Sequence, residues 1–303
     1  MNQRIDGQIA VVTGAGRGIG RAIACTLAKA GAVVVGLGRN EEPLAETVRL
    51  IGAEGGAAWY KRADVTDRAA IDAAVDAIVS RHGRIDLWVN NAGQLRAIGP
   101  VWEVDPEIWW EDVTVNLYGT YLCTRRVVRQ MLAQGAGRIV NIGGGGTMAP
   151  LLHASAYSAS KAALARFTEN LAWELRGTGV CVFVVNPGFV RTALTEYQLE
   201  SEAGRKYMGY TRRMFERGRA VPPEEAGRVV AYLASGRADI LSGHIFDVHV
   251  DLDALVADAA AVIREERHLL RLPRRPASPA GPTGQADAAK PAKPTELGES
   301  ARP

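Results

Sequence analysis

The sequence predicts an α/β protein built on one doubly wound, seven-stranded, mostly parallel sheet with helices on both faces. Three observations carry this. Short β-branched runs alternate along the chain with longer amphipathic stretches. The runs are apolar at successive positions, as strands buried on both faces require. The unusual residues fall just after these runs, where a sheet of this kind has its ligand crevice.

The strand candidates, in order, are residues 9–13, 32–37, 57–62, 85–90, 138–142, 180–186 and 245–249. Between them lie helical patterns at 18–30, 41–52, 67–82, 106–132, 157–176 and 223–233. Residues 1–250 hold all of these elements and form one catalytic domain. A segment over 251–272 follows, with Leu252, Leu255, Val256, Ala259, Val262, Ile263, Leu269 and Leu270 at helical spacing. That pattern suits a helix packed on its own subunit or on a partner. From 273 to 303 the chain is Pro, Ala, Gly, Lys and Glu with almost no large apolar residue, a composition expected to be disordered.

Composition narrows the function classes. The net charge is only +3, from 36 basic and 33 acidic residues. The basic excess lies in Arg264, Arg267, Arg271, Arg274 and Arg275, without interleaved aromatics, so a solvated surface and no nucleic-acid partner are expected. Cys25, Cys123 and Cys181 are odd in number and far apart, which reads as free thiols in a reducing compartment. No cysteine or histidine reaches metal-ligand spacing, so no metal is expected. The chain enters its first strand almost at once, without room for a signal peptide, and no apolar run approaches the ~20 residues of a membrane span. A cytoplasmic protein without a membrane partner is expected.

The first crevice element is Thr13-Gly14-Ala15-Gly16-Arg17-Gly18-Ile19-Gly20. Gly14, Gly18 and Gly20 let backbone approach a pyrophosphate at a helix N-terminus, although Ile19 breaks the G-x-G-x-x-G spacing. A glycine-rich turn alone also serves as a tight strand-to-helix connection. The second strand ends in Gly38 and Arg39, where an acid would bind the ribose hydroxyls of NAD(H). Space at Gly38 and the forked cation of Arg39, with Arg17 as a second cation, suit a 2′-phosphate and favour NADP(H) over NAD(H). A solvated loop also accounts for Arg39.

Tyr157 and Lys161 stand four apart, one turn of helix. A lysine charge ~5 Å from a phenol is worth about 3 kcal/mol at an effective dielectric of ~20, roughly two pKa units. That expectation brings the tyrosine into range for proton transfer to a carbonyl oxygen.

Taken together, Thr13–Gly20, Asp64, Asn90-Asn91-Ala92-Gly93, Asn116, Tyr157 with Lys161, and Pro187-Gly188-Phe189-Val190-Arg191-Thr192 resemble the short-chain dehydrogenase/reductase family, in its 3-oxoacyl-reductase-like branch. The resemblance covers roughly residues 5–250. It implies a Rossmann-type domain in which Gly14, Gly18 and Gly20 cradle the pyrophosphate and Asp64 with Val65 borders the adenine. Asn90, Asn91, Ala92 and Gly93 would support the adenosine and the central strand. Lys161 would bind the nicotinamide ribose and depress the pKa of Tyr157, and Asn116 would anchor a water relay to Lys161. Pro187, Gly188, Val190 and Thr192 would hold the nicotinamide. Hydride would pass between NADP(H) and a small-molecule ketone or secondary alcohol, with the 3-oxoacyl type in view. The family's usual helix pairing implies a homodimer or homotetramer.

One position departs from the family. The serine it places thirteen residues before the tyrosine is Gly144 here, within Gly143–Gly146. Thr147 and Ser155 are the nearest hydroxyls that would substitute, and Gly144→Ser is expected to raise turnover. The departure keeps a second reading open, a catalytically impaired dinucleotide-binding regulatory or scaffold protein. The stretch 193–220, where the family builds its substrate lid, carries both aromatics and Arg205, Lys206, Arg212, Arg213, Arg217 and Arg219. It reads either as an apolar pocket with a basic rim or as a plain amphipathic lid.

Overall fold

Seven strands meet in one sheet; the inner ones are apolar on both faces, whereas the edge strand Ala57–Arg62 is exposed at its ends and only half-buried between. In the computed structural model, which describes residues 4–271, they are β1 Ile9–Thr13, β2 Val33–Gly38, β3 Ala57–Arg62, β4 Leu87–Asn90, β5 Gly137–Ile142, β6 Val180–Asn186 and β7 Ile245–Asp247. The strand order is β3-β2-β1-β4-β5-β6-β7 with every pairing parallel. The order reverses direction between β1 and β4, so the turns leaving those strands diverge and open a crevice. The fourth strand starts later than the sequence suggests: the Ile85 N–H donates to the Gln134 side chain at 3.0 Å rather than to a neighbouring strand.

Helices cover both faces. On one side α1 (Gly18–Lys29) packs on α10 (Glu224–Ala234), and Ile23, Leu27, Val229, Leu233 and Phe246 join one core cluster. On the other, α3 (Arg68–His82) and α5 (Gly119–Gln134) bury Ile71, Ile78, Val127 and Met131 against Trp88. The remaining long helices are α2 (Glu41–Ala53) and α6 (Ser155–Glu174).

The helix expected over 106–132 is not continuous. It runs as α4 (Pro106–Val113), a single π turn at Thr114–Tyr118, then α5. Asp105 caps its start by accepting the Glu107 and Ile108 N–H groups. The 251–272 segment forms two short helices, α11 (Leu252–Ala257) and α12 (Ala259–Arg264), rather than one. Leu252, Leu255, Ala259 and Val262 enter the core beside α10, so the domain itself supplies their contacts. The 273–303 tail lies outside the described residues. Among the described residues, no helix is long and apolar enough to cross a membrane, and no cluster of metal-ligating side chains occurs.

Candidate active site

A cavity of about 820 Å³ opens at the carboxyl ends of the strands. Its first wall is the turn after β1, where Gly14, Arg17, Gly18, Ile19 and Gly20 all face the space. Gly14 and Gly18 adopt φ of +66° and +52°, which L side chains disfavour. Gly20 is glycine for another reason: a Cβ there would lie 2.3 Å from the Gly14 carbonyl oxygen and 2.4 Å from Asn91 Nδ2.

The turn after β4 is stitched to this one. Thr13 Oγ1 accepts the N–H groups of Asn91 and Ala92 at 2.9 and 3.0 Å, and Asn91 Nδ2 donates to the Thr13 carbonyl at 2.8 Å. Asn91, Ala92 and Gly93 line the cavity. Asn90 instead is buried beneath it, donating to Asn141 Oδ1 and Thr124 Oγ1 and accepting from Trp88. Asp64 and Val65, at the end of β3, face the same end, as does Arg39 after β2. Arg17 and Arg39 are exposed side chains, and neither makes a hydrogen bond or ion pair among the described residues.

The opposite wall holds Pro187, Gly188, Val190 and Thr192 after β6. Thr192 caps the helix α7 (Ala193–Glu200), and its methyl lies 3.3 Å from where a Cβ of Gly18 would stand. The two walls therefore nearly touch across the crevice. Behind Thr192 comes the lid, made of α7, α8 (Glu202–Tyr207) and α9 (Gly209–Glu216). Leu194, Gln198, Tyr210, Thr211 and Met214 line the cavity, whereas Arg205, Lys206, Arg212, Arg213 and Arg217 do not. A basic rim is thus absent apart from Arg219, and the amphipathic-lid reading fits: the lid turns its charges outward.

Tyr157 and Lys161 reach the cavity from the first turns of α6, both buried. Lys161 Nζ donates to the Ile142 carbonyl at 2.8 Å and lies 5.6 Å from the Tyr157 ring centre. The expected depression of the phenol pKa is not what this arrangement gives. Burial, with the Asp112 charge adding to it, pushes Tyr157 up to about 12. Burial also brings Lys161 down to about 8, because a desolvated ammonium is disfavoured and one carbonyl only partly replaces its water.

Asn116, like Asn90, does not line the cavity. It sits in the π turn, fully buried, with Oδ1 accepting the Gln94 N–H and Nδ2 donating to the Gln94 carbonyl, both at 2.9 Å. Its side chain thus fixes the strand-end loop next to Gly93.

Gly144 packs directly on the tyrosine: a Cβ there would lie 2.2 Å from Tyr157 Oη. Neither substitute hydroxyl is presented to the cavity. Thr147 Oγ1 donates to the Gly144 carbonyl at 2.8 Å and accepts the Gly144 N–H at 3.1 Å. Ser155 Oγ accepts Trp109 Nε1 at 3.1 Å. What faces the cavity beside Tyr157 is the backbone of Gly143, Gly144 and Gly145. Sequence reasoning missed Gln94, Leu95 and Leu151, which complete this end. The two leucines carry no local signal that separates them from core residues.

Residues 8–203 match the sequence profile of the short chain dehydrogenase family. The 3-oxoacyl-acyl-carrier-protein reductase of Escherichia coli K12 is 35% identical over 245 residues, covering 80% of this chain and 96% of that protein. A variant of actinorhodin polyketide ketoreductase, solved with NADPH, superposes with a TM-score of 0.73 at 36% identity, over 80% of this chain and 95% of that one. A gluconate 5-dehydrogenase from Burkholderia cenocepacia J2315, solved with NADP and tartrate, gives 0.73 at 32% identity, over 84% and 98%. The chain belongs to the short-chain dehydrogenase family, as an oxidoreductase that interconverts alcohol and carbonyl groups.

Proposed function

We propose that the chain is an NADP(H)-dependent reductase of ketones, with 3-oxoacyl thioesters as the first substrate class to try, and equally a secondary-alcohol dehydrogenase in reverse. One observation carries this reading: a single cavity joins the glycine cradle, two unpartnered guanidinium groups and the buried Tyr157–Lys161 pair. The residues present fit a dinucleotide. Gly14, Gly18 and Gly20 leave the turn without side chains where a pyrophosphate would lie, and Arg17, in the turn after β1, and Arg39, after β2, are without partners where a 2′-phosphate would be held. Asp64 and Val65 border the adenine end. Asn91, Ala92 and Gly93 form the floor, and Pro187, Gly188, Val190 and Thr192 form the wall for the nicotinamide.

Bound NADPH supplies the hydride. Tyr157 would donate its proton to the carbonyl oxygen, Lys161 would hold the ribose of the bound cofactor, and Asn116 acts from behind by fixing Gln94. Gly144 occupies the place of the family's serine. With Thr147 and Ser155 engaged elsewhere, and the Gly143 and Gly144 N–H groups donated to the Val185 carbonyl and to Thr147 Oγ1, the oxygen of the substrate is left to Tyr157. That absence is also the observation behind the second reading, a dinucleotide-binding protein that has lost turnover.

A screen of ketones and 3-oxoacyl thioesters with NADPH and NADH separates the two, since only the enzyme turns over. On the cofactor side, NADPH is expected to bind at least about ten-fold more tightly than NADH, because one lost charge-assisted phosphate contact is worth roughly 1.4 kcal/mol. Gly38→Asp with Arg39→Leu should reverse the preference. The aspartate fits, since a Cβ at Gly38 meets Leu44 only at ordinary contact distance, 3.5 Å. Equal dissociation constants by calorimetry would reject the assignment.

A further inference from the structure

Asp112 is an acid that the reading above does not use. It lies on α4 three residues after Trp109, one turn of helix, and four before Asn116. All three side chains reach toward Tyr157 or its supports. Trp109 Nε1 donates to Ser155 Oγ at 3.1 Å, two residues before the tyrosine. Asn116 holds both main-chain groups of Gln94. Asp112 holds the far end of the same stretch: Oδ2 accepts the N–H of Arg96 at 2.9 Å and that of Ala97 at 3.0 Å. Residues 94–97 are therefore a strap fixed at both ends by one helix. Between the anchors, Leu95 packs in the cluster that holds Tyr157 and Met208.

The charge needs its own account. Asp112 is 0% exposed, and burying a carboxylate is costly where a neutral side chain would accept the same N–H groups. We propose that Asp112 is a positioning residue for Tyr157: its buried carboxylate fixes the strap whose Leu95 packs with the phenol, and so anchors a negative charge at the end of that strap.

The charged and titratable groups around the phenol are few. Lys161 reaches it from the same helix, and its Nζ is engaged by the Ile142 carbonyl. His153, in the loop before α6, packs tilted against Tyr207 with ring centres 4.9 Å apart. Arg96 turns outward to Glu111, 3.4 Å away. Beyond burial, Asp112 is the neighbour that raises the phenol. Burial pushes the Asp112 carboxyl itself up, while the N–H groups of Ala97 and Arg96, the Gln94 side chain and the Arg96 charge draw it back. The phenol is thereby kept as a proton donor to higher pH, which suits carbonyl reduction more than alcohol oxidation. This consequence rests on the proposed function; the coupling of the two residues does not.

Asp112→Asn removes the charge and keeps an oxygen for the two N–H groups. In protein carrying [13Cζ]tyrosine, with eight tyrosines and Tyr157→Phe to identify the signal, the Tyr157 resonance is followed from pH 7 to 11 without substrate. The asparagine variant is expected to begin titrating at least about half a pH unit below the wild type. The basic limb of kcat/KM for ketone reduction should move down by the same amount. A strap that is only structural would raise KM or lower kcat and leave the resonance where it was. Identical Tyr157 shifts at every pH in the two folded proteins would overturn the proposal, even if no ketone is turned over. Asp112→Ser, smaller and also neutral, gives the same reading where the asparagine variant does not fold.

Discussion

Two glycine-rich turns follow parallel strands here, one after β1 and one after β5, and they are glycine-rich for different reasons. After β1, a side chain at Gly20 would collide with backbone, the Gly14 carbonyl oxygen at 2.3 Å. After β5, a side chain at Gly144 would collide with the tip of another side chain, Tyr157 Oη at 2.2 Å. The first turn is small so that the chain can close on itself and leave N–H groups bare. At Gly144 the second is small so that a phenol can occupy the space. Backbone cannot yield without unfolding the turn, whereas a side chain can be displaced at the cost of its function. One turn should therefore report substitutions as stability and the other as turnover.

The largest effect tests the occupant of the second turn. Tyr157→Phe keeps the ring and removes the hydroxyl, so kcat for ketone reduction should fall by about 10²–10⁴-fold with NADPH affinity nearly unchanged. Stopped-flow turnover and fluorescence titration check the two halves. If turnover survives, Gly144 is not small for the sake of a working phenol.

Next comes Gly144 itself. The expectation from family resemblance is that Gly144→Ser restores a missing hydroxyl and raises turnover. The packing reverses that sign: the added Cβ displaces Tyr157 Oη, and both Gly144→Ser and Gly144→Ala should lower kcat, by about ten-fold or more for a misplaced proton donor. Melting temperatures should stay within a few degrees. A serine variant faster than wild type would show that the phenol has a second seat, and the contrast between the turns would then narrow to stability alone.

The smallest effect sits in the first turn. Gly20→Ala should cost about 1–3 kcal/mol, as overpacking usually does, lowering the melting temperature by several degrees. NADPH affinity should fall with it, because Gly20 shares Asn91 with the turn after β4. An alanine variant with unchanged melting would mean that this turn also yields.

Much of this was legible in the residues. All seven strands were: the inner ones because a strand buried on both faces leaves a continuous apolar run, and the half-exposed edge strand Ala57–Arg62 because it falls in the alternation of short runs with helical stretches. The cavity-lining glycines and the Tyr157–Lys161 spacing were legible too, being local patterns. Three things were not. The electrostatic state of Tyr157 was misjudged because spacing gives the distance to Lys161 but not the burial of both groups. The engagement of Thr147 and Ser155 was hidden because their partners, Gly144 and Trp109, are fixed by how the loop after β5 folds and how α4 meets α6. Asp112 was overlooked because an acid on an amphipathic helix reads as solvent-facing. Its spacing from Asn116 was the one available hint, and the strap it holds lies in the loop just before α4, where no helical periodicity pairs the two.

The π turn at Thr114–Tyr118 has a consequence for length variation. An α-helix rotates by about 100° per residue, so one additional residue in a turn resets the angular phase of everything downstream. Before the turn, α4 aims Trp109 and Asp112 at the supports of Tyr157; after it, α5 aims Leu122, Cys123, Val127 and Met131 into the core. The turn acts as a phase adjuster between two tasks that a single uninterrupted helix could not both face. Deleting Val115 would let the helix run straight through, and α5 would then present its polar side to the sheet or drag α4 around with it. A one-residue gap in this stretch therefore amounts to a rotation of a whole helix, and sequences aligned across it without regard to the turn would pair residues that look in different directions.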